Sequence, residues 1–247
     1  MTLIAVGTWR GVGATTAAML LAAASALTDE TWLVEADPAG GVLQARSPVL
    51  AGGRSALEQL AFDNETTLES AAQPFGSVHT LVGATDSFQA WSTLATPRFN
   101  WIERLRRVSG VMVVDVGSLR GVGLPTWRII EQADIVVVCT TAEPAALVSS
   151  LAWMNAKGQS APGVAGLSAD TARMLVIDAP VTVGERFTPG QVSAELGERI
   201  VGWWPWQPGV IDAVLRGASV DHRRLRAQLL ISAARATMTR LLQETGQ

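Results

Sequence analysis

The stretch GTWRGVGATT, residues 7–16, separates a short apolar run from an alanine-rich segment. The run Thr2–Gly7 is typical of a buried strand, and Thr15–Ser25 has the composition of a helix. Gly11 and Gly13 allow the backbone between them to turn tightly. Successive N–H groups of such a loop can face an anion, and the start of the following helix adds partial positive charge. The stretch predicts an anion-binding strand–loop–helix unit, although a plain turn that needs glycine has the same pattern.

The alternation of apolar runs and helical stretches continues along the chain. Further strands are predicted at Thr31–Glu35, Val78–Gly83, Val111–Val116, Asp134–Thr140, Met174–Asp178 and Ile200–Trp204. Further helices are predicted at Ser55–Ala61, Pro97–Val108, Glu143–Ala156, Pro189–Leu196 (opened by Thr188), Val210–Leu215 and His222–Leu242. Nearly all-apolar runs suit strands that are buried on both faces, and strands alternating with helices imply parallel pairing. We predict one α/β domain over residues 1–247, with a doubly wound, mostly parallel sheet.

Composition restricts the classes of partner and compartment. Hydrophobic residues make up 48% of the 247 residues, charged residues make up 17%, and the net charge is −3. This balance gives no electrostatic reason to expect nucleic acid or an anionic membrane as a partner. The single cysteine, Cys139, excludes an intrachain disulfide and a cysteine-bound metal cluster. Ala14–Leu27 is too short to span a bilayer and an apolar run precedes Arg10, so we expect a cytoplasmic protein rather than a secreted one.

Two acidic side chains follow predicted strands at the edge where open α/β sheets bind ligands. Asp37 lies in EADPAGG, residues 35–41, and is placed to orient a water molecule. Asp115 ends the apolar run VMVVD and suits water-mediated binding of Mg²⁺, for which the Thr15 hydroxyl is a second ligand. Each also has a simpler explanation, which is a capped turn for Asp37 and an exposed strand end for Asp115.

Taken together, these stretches resemble the MinD/ParA family of ATPases, which have a deviant P-loop. GTWRGVGATT is similar to the family's KGGVGKTT loop, and EADPAGG is similar to its DxDPQG motif. VVVDVGS is similar to the family's strand that ends on the metal-binding acid, and ADIVVVCTTAEPAAL is similar to its ADxVLLVTTPEPAAL segment. The resemblance runs in order from about residue 2 to about residue 240. It implies a P-loop NTPase fold, ATP or ADP with Mg²⁺ as ligand, and a homodimer. It also implies nucleotide contacts from Arg10, Gly11, Val12, Gly13, Ala14, Thr15 and Thr16, a metal held by Thr15 and Asp115, and water positioned by Asp37.

The departures from the family pattern mostly concern charge. Ala14 stands where the family has the lysine that reaches the β- and γ-phosphates, and Trp9 where it has the lysine that crosses a dimer to the partner's nucleotide. Arg10 replaces a glycine, Glu35 is the first acid of the DxDPQG-like stretch, and Gln207 replaces a late aspartate. Loss of one charge-assisted hydrogen bond weakens binding by roughly ten- to a hundredfold. The loss in rate should be larger, because the lysine follows charge that develops in the transition state.

Two hypotheses for function remain open from the sequence. The first is a degenerate, pseudo-ATPase protein that acts as a dimeric positioning or assembly factor. On this hypothesis the protein is similar to the atypical TadZ/CpaE branch, and its partner is a protein of a localisation, secretion or partitioning system. It dimerises through a face that contains Trp9, Arg10 and Trp206. The second is an active Mg-ATP-dependent switch in which Arg10 replaces the missing lysine. A metabolic ligase fits less well, because those enzymes also need that lysine and no substrate-binding constellation is evident.

Arginine-rich helices and a tryptophan cluster invite other partners. The predicted helices Pro97–Val108 and His222–Leu242 carry several arginines, and the second is amphipathic. Membrane attachment through it is one interpretation, but we favour an apolar face packed on the sheet with solvated arginines outside. DNA binding would need a local basic surface and is not favoured either. Trp203, Trp204 and Trp206 either stack on a base, anchor a partner or pack in the core.

Overall fold

A computed structural model of the chain describes residues 1–50, 55–96, 101–120, 125–155, 171–180 and 185–246. Its strands are β1 (Thr2–Thr8), β2 (Thr31–Glu35), β3 (Gln73–Phe75), β4 (Val78–Leu81), β5 (Val111–Ser118), β6 (Ile135–Thr141), β7 (Ala172–Asp178) and β8 (Ile200–Pro205). They form one eight-stranded sheet in the order β3-β4-β2-β5-β1-β6-β7-β8. The β3–β4 pair is antiparallel and the other pairs are parallel. The predicted doubly wound, mostly parallel α/β sheet is therefore confirmed.

Helices flank this sheet and connect its strands. They are α1 (Ala14–Ser25), α2 (Leu43–Arg46), α3 (Ala56–Phe62), α4 (Leu68–Ala71), α5 (Ser87–Ala95), α6 (Trp101–Leu105), α7 (Trp127–Gln132), α8 (Pro144–Asn155), α9 (Pro189–Leu196), α10 (Pro208–Leu215), α11 (Arg223–Arg226) and α12 (Leu229–Glu244), with a short 3₁₀ turn at Gly197–Arg199. Helix α1 packs on β5 and against α12, and most of its alanines and leucines are buried. The small side chains of α1 allow this close approach. The packing holds α1, and with it the end of the first loop, against the sheet.

The middle of the sheet is apolar because its strands are covered on both faces. Every residue of β1 and β6 is buried, and β5 is buried from Val111 to Gly117. Asp115 is the charged exception in β5, with 0% of its surface exposed. Polar chemistry is therefore confined to the ends of these strands.

Several predicted boundaries agree with the structure, and their capping residues explain why. Strand Thr31–Glu35 and helix Pro189–Leu196 have the predicted ends. Thr188 and Gln191 form a reciprocal capping box at the start of α9, which is a start signal visible in the sequence. Ser55 caps α3 by accepting a hydrogen bond from the Glu58 N–H group. The predicted helix ends at Pro97 and Ala156 lie outside the described residues.

Five elements, β3, α2, α4, α5 and α7, have no counterpart among the predicted strands and helices. Strand β3 is only three residues long and contains Pro74, so it lacks the apolar run that marks the central strands. Helix α5 does have a start signal in the sequence, because the Asp86 side chain accepts a hydrogen bond from the Gln89 N–H group. Strand β3 and the short helices α2, α4 and α7 thus lack the longer apolar or periodic runs from which the central elements are predicted.

The prediction of one helix over His222–Leu242 is wrong, because the segment is divided into α11 and α12. Gln228 is extended between them, and the Gln207 Oε1 atom accepts a hydrogen bond from the Leu230 N–H group at 2.9 Å. This long-range cap starts a new helix and is invisible to sequence periodicity. The apolar side of α12 packs on α1 and β8, as we favoured, although Leu229 is 69% exposed.

Among the described residues, no helix combines the length and the hydropathy that spanning a bilayer requires.

The α12–β8 contact contains a buried hydrogen bond that can be tested. Trp204 Nε1–H donates to Thr237 Oγ1 at 2.9 Å, and both side chains are buried. We expect Thr237→Val to lower the free energy of unfolding by about 1–3 kcal/mol, because the buried indole N–H loses its acceptor. Urea unfolding followed by circular dichroism measures this change. The matched control is Thr239→Val on the exposed side of α12, with an expected change under about 0.5 kcal/mol. Equal effects of the two substitutions would contradict the assignment.

Candidate functional site

The carboxyl ends of β2, β5 and β1 lie side by side and define the candidate site. Asp115 pairs in register with Glu35 on one side and with Val6 on the other. The loop after β1, the acidic stretch after β2 and the end of β5 therefore open at one edge of the sheet. This is the edge where doubly wound sheets bind ligands.

The loop between β1 and α1 has the tight turn that its glycines predict. Gly11 has φ of +75° and Gly13 has φ of +66°, a region that side chains rarely adopt. A Cβ atom on residue 13 would also come within 2.6 Å of Ile177 Cδ1. Gly13 is the N-cap of α1 and no side chain caps the helix, so the first-turn N–H groups of α1 have no side-chain acceptor.

Thr8 organises the loop and was not predicted from the sequence. Its buried hydroxyl donates to the Cys139 carbonyl at 3.0 Å, which ties the loop to β6. The same oxygen accepts hydrogen bonds from the N–H groups of Arg10 at 3.3 Å and Val12 at 3.1 Å. The only signal that the sequence offers for this role is a hydroxyl residue directly after the predicted strand Thr2–Gly7.

The first turn of α1 places the remaining predicted loop residues. Ala14 is 5% exposed and Thr16 is 8% exposed, whereas Thr15 is half-buried. Position 14 therefore presents only a methyl group at the site. The Thr15 hydroxyl lies close enough to Asp115 to lower the pKa of that carboxyl.

Asp115 is a buried acid whose second oxygen is unsatisfied. Its Oδ1 atom accepts a hydrogen bond from the Gly117 N–H group at 3.0 Å, while Oδ2 has no hydrogen-bond partner in the described part of the chain. Burial raises the pKa of Asp115 to about 7, and the carboxylates of Asp37 and Glu35 add to the rise. Such an orphaned oxygen is suited to a cation or a bound water.

The other two acids differ in what they are free to do. Glu35 is 1% exposed, and its carboxylate accepts hydrogen bonds from the N–H groups of Val42 at 2.6 Å, Leu43 at 2.7 Å and Gly83 at 3.2 Å. Burial raises the pKa of Glu35 and these three donors counteract the rise. Glu35 is thus a structural carboxylate that holds the start of α2.

Asp37 lies over the end of β5 and remains partly accessible. Its carboxylate contacts the Gly117 backbone, where φ is +63° and a side chain would collide with it. The Oδ1 atom accepts a hydrogen bond from the Ala39 N–H group at 2.8 Å, and burial raises the pKa of Asp37. Asp37 and Asp115 therefore meet at the site, as their positions after neighbouring strands predict.

Trp9 and Arg10 turn towards α8 instead of the first turn of α1. The Trp9 ring lies 6.1 Å from the Trp153 ring, which lies 6.2 Å from Trp127. The Arg120 guanidinium lies 5.6 Å from the centre of the Trp9 ring on its face. Arg10 is exposed and donates a hydrogen bond to the Ser149 hydroxyl at 3.3 Å. In this arrangement Arg10 does not occupy the place of the absent lysine.

A different arginine, Arg46, lies at the start of α1 and was missed by sequence reasoning. Its Nη1 atom is 3.4 Å from Thr16 Oγ1. Arg46 also borders an open cavity of about 310 Å³, which is lined by Arg46, Trp206, Pro208, Ile211, Asp212 and Leu215. Trp206 is 40% exposed there, whereas its neighbour Trp204 belongs to the core.

A larger open cavity of about 800 Å³ lies elsewhere, between α2, α3 and α5. It is lined by Gln44, Ser55, Glu58, Gln59, Phe62, Asp63, Ala84, Thr85 and Gln89. None of these residues belongs to the first loop or to the acids at its edge, so size alone does not identify the site.

The residues at the loop fit a magnesium-bound phosphate in part. The uncapped N–H groups of α1, the Thr15 hydroxyl and the orphaned Asp115 oxygen suit such a ligand. The described residues contain no group of three side chains that could hold a metal ion by themselves. Magnesium would keep water and phosphate ligands here, as it commonly does. The methyl group of Ala14 fits poorly, because it gives the β- and γ-phosphates no positive charge.

Comparison with known proteins identifies the fold. No protein-family model matches the chain, and no curated protein sequence is significantly similar. Solved structures do match over nearly the whole length. A ParA family ATPase from Chlorobium tepidum TLS superposes with a TM-score of 0.74 at 13% identity, covering 96% of this chain and 98% of that one.

Two MinD structures are also similar. The MinC:MinD cell division complex of Aquifex aeolicus gives a TM-score of 0.68 at 17% identity, with 98% of this chain and 96% of that chain covered. The septum site-determining protein MinD of Pyrococcus horikoshii OT3, complexed with Mg-ADP, gives a TM-score of 0.68 at 16% identity, with 100% of this chain and 98% of that chain covered. The chain therefore has a MinD/ParA-like fold.

The buried Asp115 carboxyl makes stability depend on pH in a testable way. Its pKa is about 7 in the folded protein against an ordinary 3.8, so the folded state holds the proton more tightly than the unfolded chain. Stability conferred by this proton is present at low pH and is lost as the pH rises through 7. Between pH 6 and pH 8, we expect the wild type to lose about 1 kcal/mol more unfolding free energy than Asp115→Asn. Urea unfolding at both pH values measures the difference.

The comparison isolates Asp115 because Glu35 and Asp37 are present in both proteins. Parallel pH profiles of wild type and Asp115→Asn would show that this carboxyl keeps an ordinary pKa.

Proposed function

We propose that this protein is a degenerate MinD/ParA-like nucleotide-binding protein, a pseudo-ATPase that acts as a dimeric positioning or assembly factor for a partner complex. The observation that carries the proposal is the first loop. It keeps its glycine turn and an uncapped start of α1, yet residue 14 presents a methyl group. A loop preserved in shape but not in charge suits weak binding better than turnover.

In this proposal the ligand is ATP or ADP with Mg²⁺. The backbone of residues 10–16 cradles the phosphates, with Arg10, Gly11, Val12, Gly13, Ala14, Thr15 and Thr16 as the lining residues. Thr15 and Asp115 hold the metal, and Asp37 positions a water molecule in any residual hydrolysis. The metal would supply positive charge at the phosphate oxygens. The similar MinD of Pyrococcus horikoshii is complexed with Mg-ADP, which supports this choice of ligand.

Slow hydrolysis follows from the charges around the loop. Asp115, Asp37 and Glu35 place three acids at the edge, and position 14 offers no cation to oppose the charge developing on the phosphates. Arg10, the candidate replacement, donates to Ser149 on α8. These contacts favour the pseudo-ATPase over the alternative of an active switch that depends on Arg10.

The partner side of the proposal concerns the surface around the loop. Trp9, Arg10 and Trp206 form the proposed dimer face, and a protein of a localisation, secretion or partitioning system is the proposed partner. The MinD of Aquifex aeolicus is found in complex with MinC, so a similar fold does bind a protein partner. A role like that of the TadZ/CpaE branch is consistent with a loop that no longer turns over nucleotide.

Restoring the missing lysine tests the nucleotide-binding part. We expect the wild type to bind Mg-ATP weakly and release little phosphate, and Ala14→Lys to tighten binding about ten- to a hundredfold. Ala14→Met is the control, because it adds a similar length without the charge. Calorimetric titration and a phosphate-release assay give the two readouts. If the wild type hydrolyses ATP and Arg10→Ala abolishes this activity, the active switch is favoured. If neither the wild type nor Ala14→Lys binds nucleotide at millimolar concentration, the proposal is wrong.

Sedimentation tests the dimer face. We expect the wild type to dimerise at saturating Mg-ADP and Trp206→Ala, at an Mg-ADP concentration that saturates this variant too, to raise the dimer dissociation constant at least about tenfold, as exposed tryptophans often dominate interfaces. Trp91→Ala is the matched control, since Trp91 on α5 is 43% exposed and Trp206 is 40% exposed. A monomeric wild type, or equal effects of the two substitutions, would contradict this face.

A further inference from the structure

We propose that Arg46 is the phosphate-binding cation of this site and that it contacts the phosphate nearest the base, so that ADP and ATP bind with similar affinity. The inference rests on the proposed nucleotide binding and adds to it a residue and a ligand preference. It comes from three features of Arg46, which are its contact with Thr16, the anchoring of its helix and the cavity that it borders.

The first feature is the contact with the first turn of α1. Arg46 Nη1 lies 3.4 Å from the Thr16 hydroxyl, which is a long and weak hydrogen bond that a ligand can replace. No carboxylate in the described part of the chain forms an ion pair with Arg46. The guanidinium therefore keeps its charge and most of its five N–H donors available for a phosphate, which it binds in a bidentate manner.

The second feature is the rigid attachment of α2 to the edge of the sheet. Glu35, buried at the end of β2, accepts hydrogen bonds from the N–H groups of Val42 and Leu43 at the start of α2. The Arg46 N–H group in turn donates to the Val42 carbonyl at 3.0 Å. A buried carboxylate thus fixes the backbone from which Arg46 projects, which reduces the entropy that binding must overcome.

The third feature is the cavity on the other side of Arg46. Its walls include the exposed ring of Trp206 together with Pro208 and Ile211, surfaces on which a base can stack. Asp212 is the acid in this wall, and its charge is paired with Arg216. Arg46 therefore contacts the Thr16 hydroxyl and also borders the cavity that the Trp206 ring lines, and the acid in that cavity wall is already paired with another arginine.

This placement predicts which phosphate the arginine contacts. The P-loop lysine, absent here at residue 14, reaches the β- and γ-phosphates. Arg46 lies at Thr16, further along α1, and next to the base platform, so it meets the phosphate attached to the nucleoside. No cation of the site then contacts the third phosphate. The site therefore discriminates little between a nucleoside triphosphate and a nucleoside diphosphate.

The test is a calorimetric titration of the full-length chain with Mg-ATP, Mg-ADP and AMP. For the wild type we expect dissociation constants for ATP and ADP within about threefold of each other. Arg46→Gln should weaken the binding of all three nucleotides by about tenfold, because they share the contacted phosphate. Arg46→Lys should keep part of the affinity, since it keeps the charge without the fork of donors. Arg224→Gln, an exposed arginine of α11, is the control and should leave all three values unchanged.

The outcomes separate this inference from the proposed function. Absence of wild-type binding at millimolar nucleotide would remove the nucleotide site itself. Wild-type binding that Arg46→Gln leaves intact would overturn only the role of Arg46, and an ATP preference over ADP above about tenfold would overturn the ligand preference. Thermal unfolding of each variant checks the fold. If Arg46→Gln does not fold, the affinity of Arg46→Lys is the deciding measurement. An affinity equal to that of the wild type would then overturn the bidentate contact between Arg46 and the phosphate.

Discussion

A parallel sheet covered on both faces leaves one place for polar chemistry, the carboxyl edge of its strands. In this protein β1, β5 and β6 are buried along almost their whole length, and the charge of Asp115 lies where β5 reaches that edge. The register that pairs Asp115 with Glu35 and Val6 brings the acids and the first loop together. The candidate site exists because of this pairing, and its chemistry follows from which charges the edge contains.

Negative charge dominates that edge close to the loop. Three backbone N–H groups counteract the effect of burial on the pKa of Glu35, and through them this carboxylate holds the start of α2 in place. Asp115 has no such set of donors, and its pKa of about 7 expresses the cost of burying it beside two other acids. A bound metal would relieve this cost, whereas a bare phosphate would increase it. The absence of a cation at residue 14 therefore affects the acids as much as the ligand.

An arginine from outside the loop lies beside the start of α1. Arg46 projects from the helix that Glu35 anchors, so a buried carboxylate positions the guanidinium that contacts Thr16. Meanwhile Trp9 and Arg10 pack on α8 through Trp153 and Ser149. These contacts tie the loop to α8.

Apolar periodicity and local composition account for much of this architecture. They predict the central strands and the glycine turn, and the rule that ligands meet strand ends predicts the convergence of Asp37 and Asp115. Thr8, Arg46 and Gln207 could not be found that way. Their roles consist of contacts with residues 131, 30 and 23 positions away, namely Cys139, Thr16 and Leu230. Local sequence thus dictated the scaffold and the missing charge of the loop, while only tertiary packing decided which distant side chains support the loop and which arginine lies beside it.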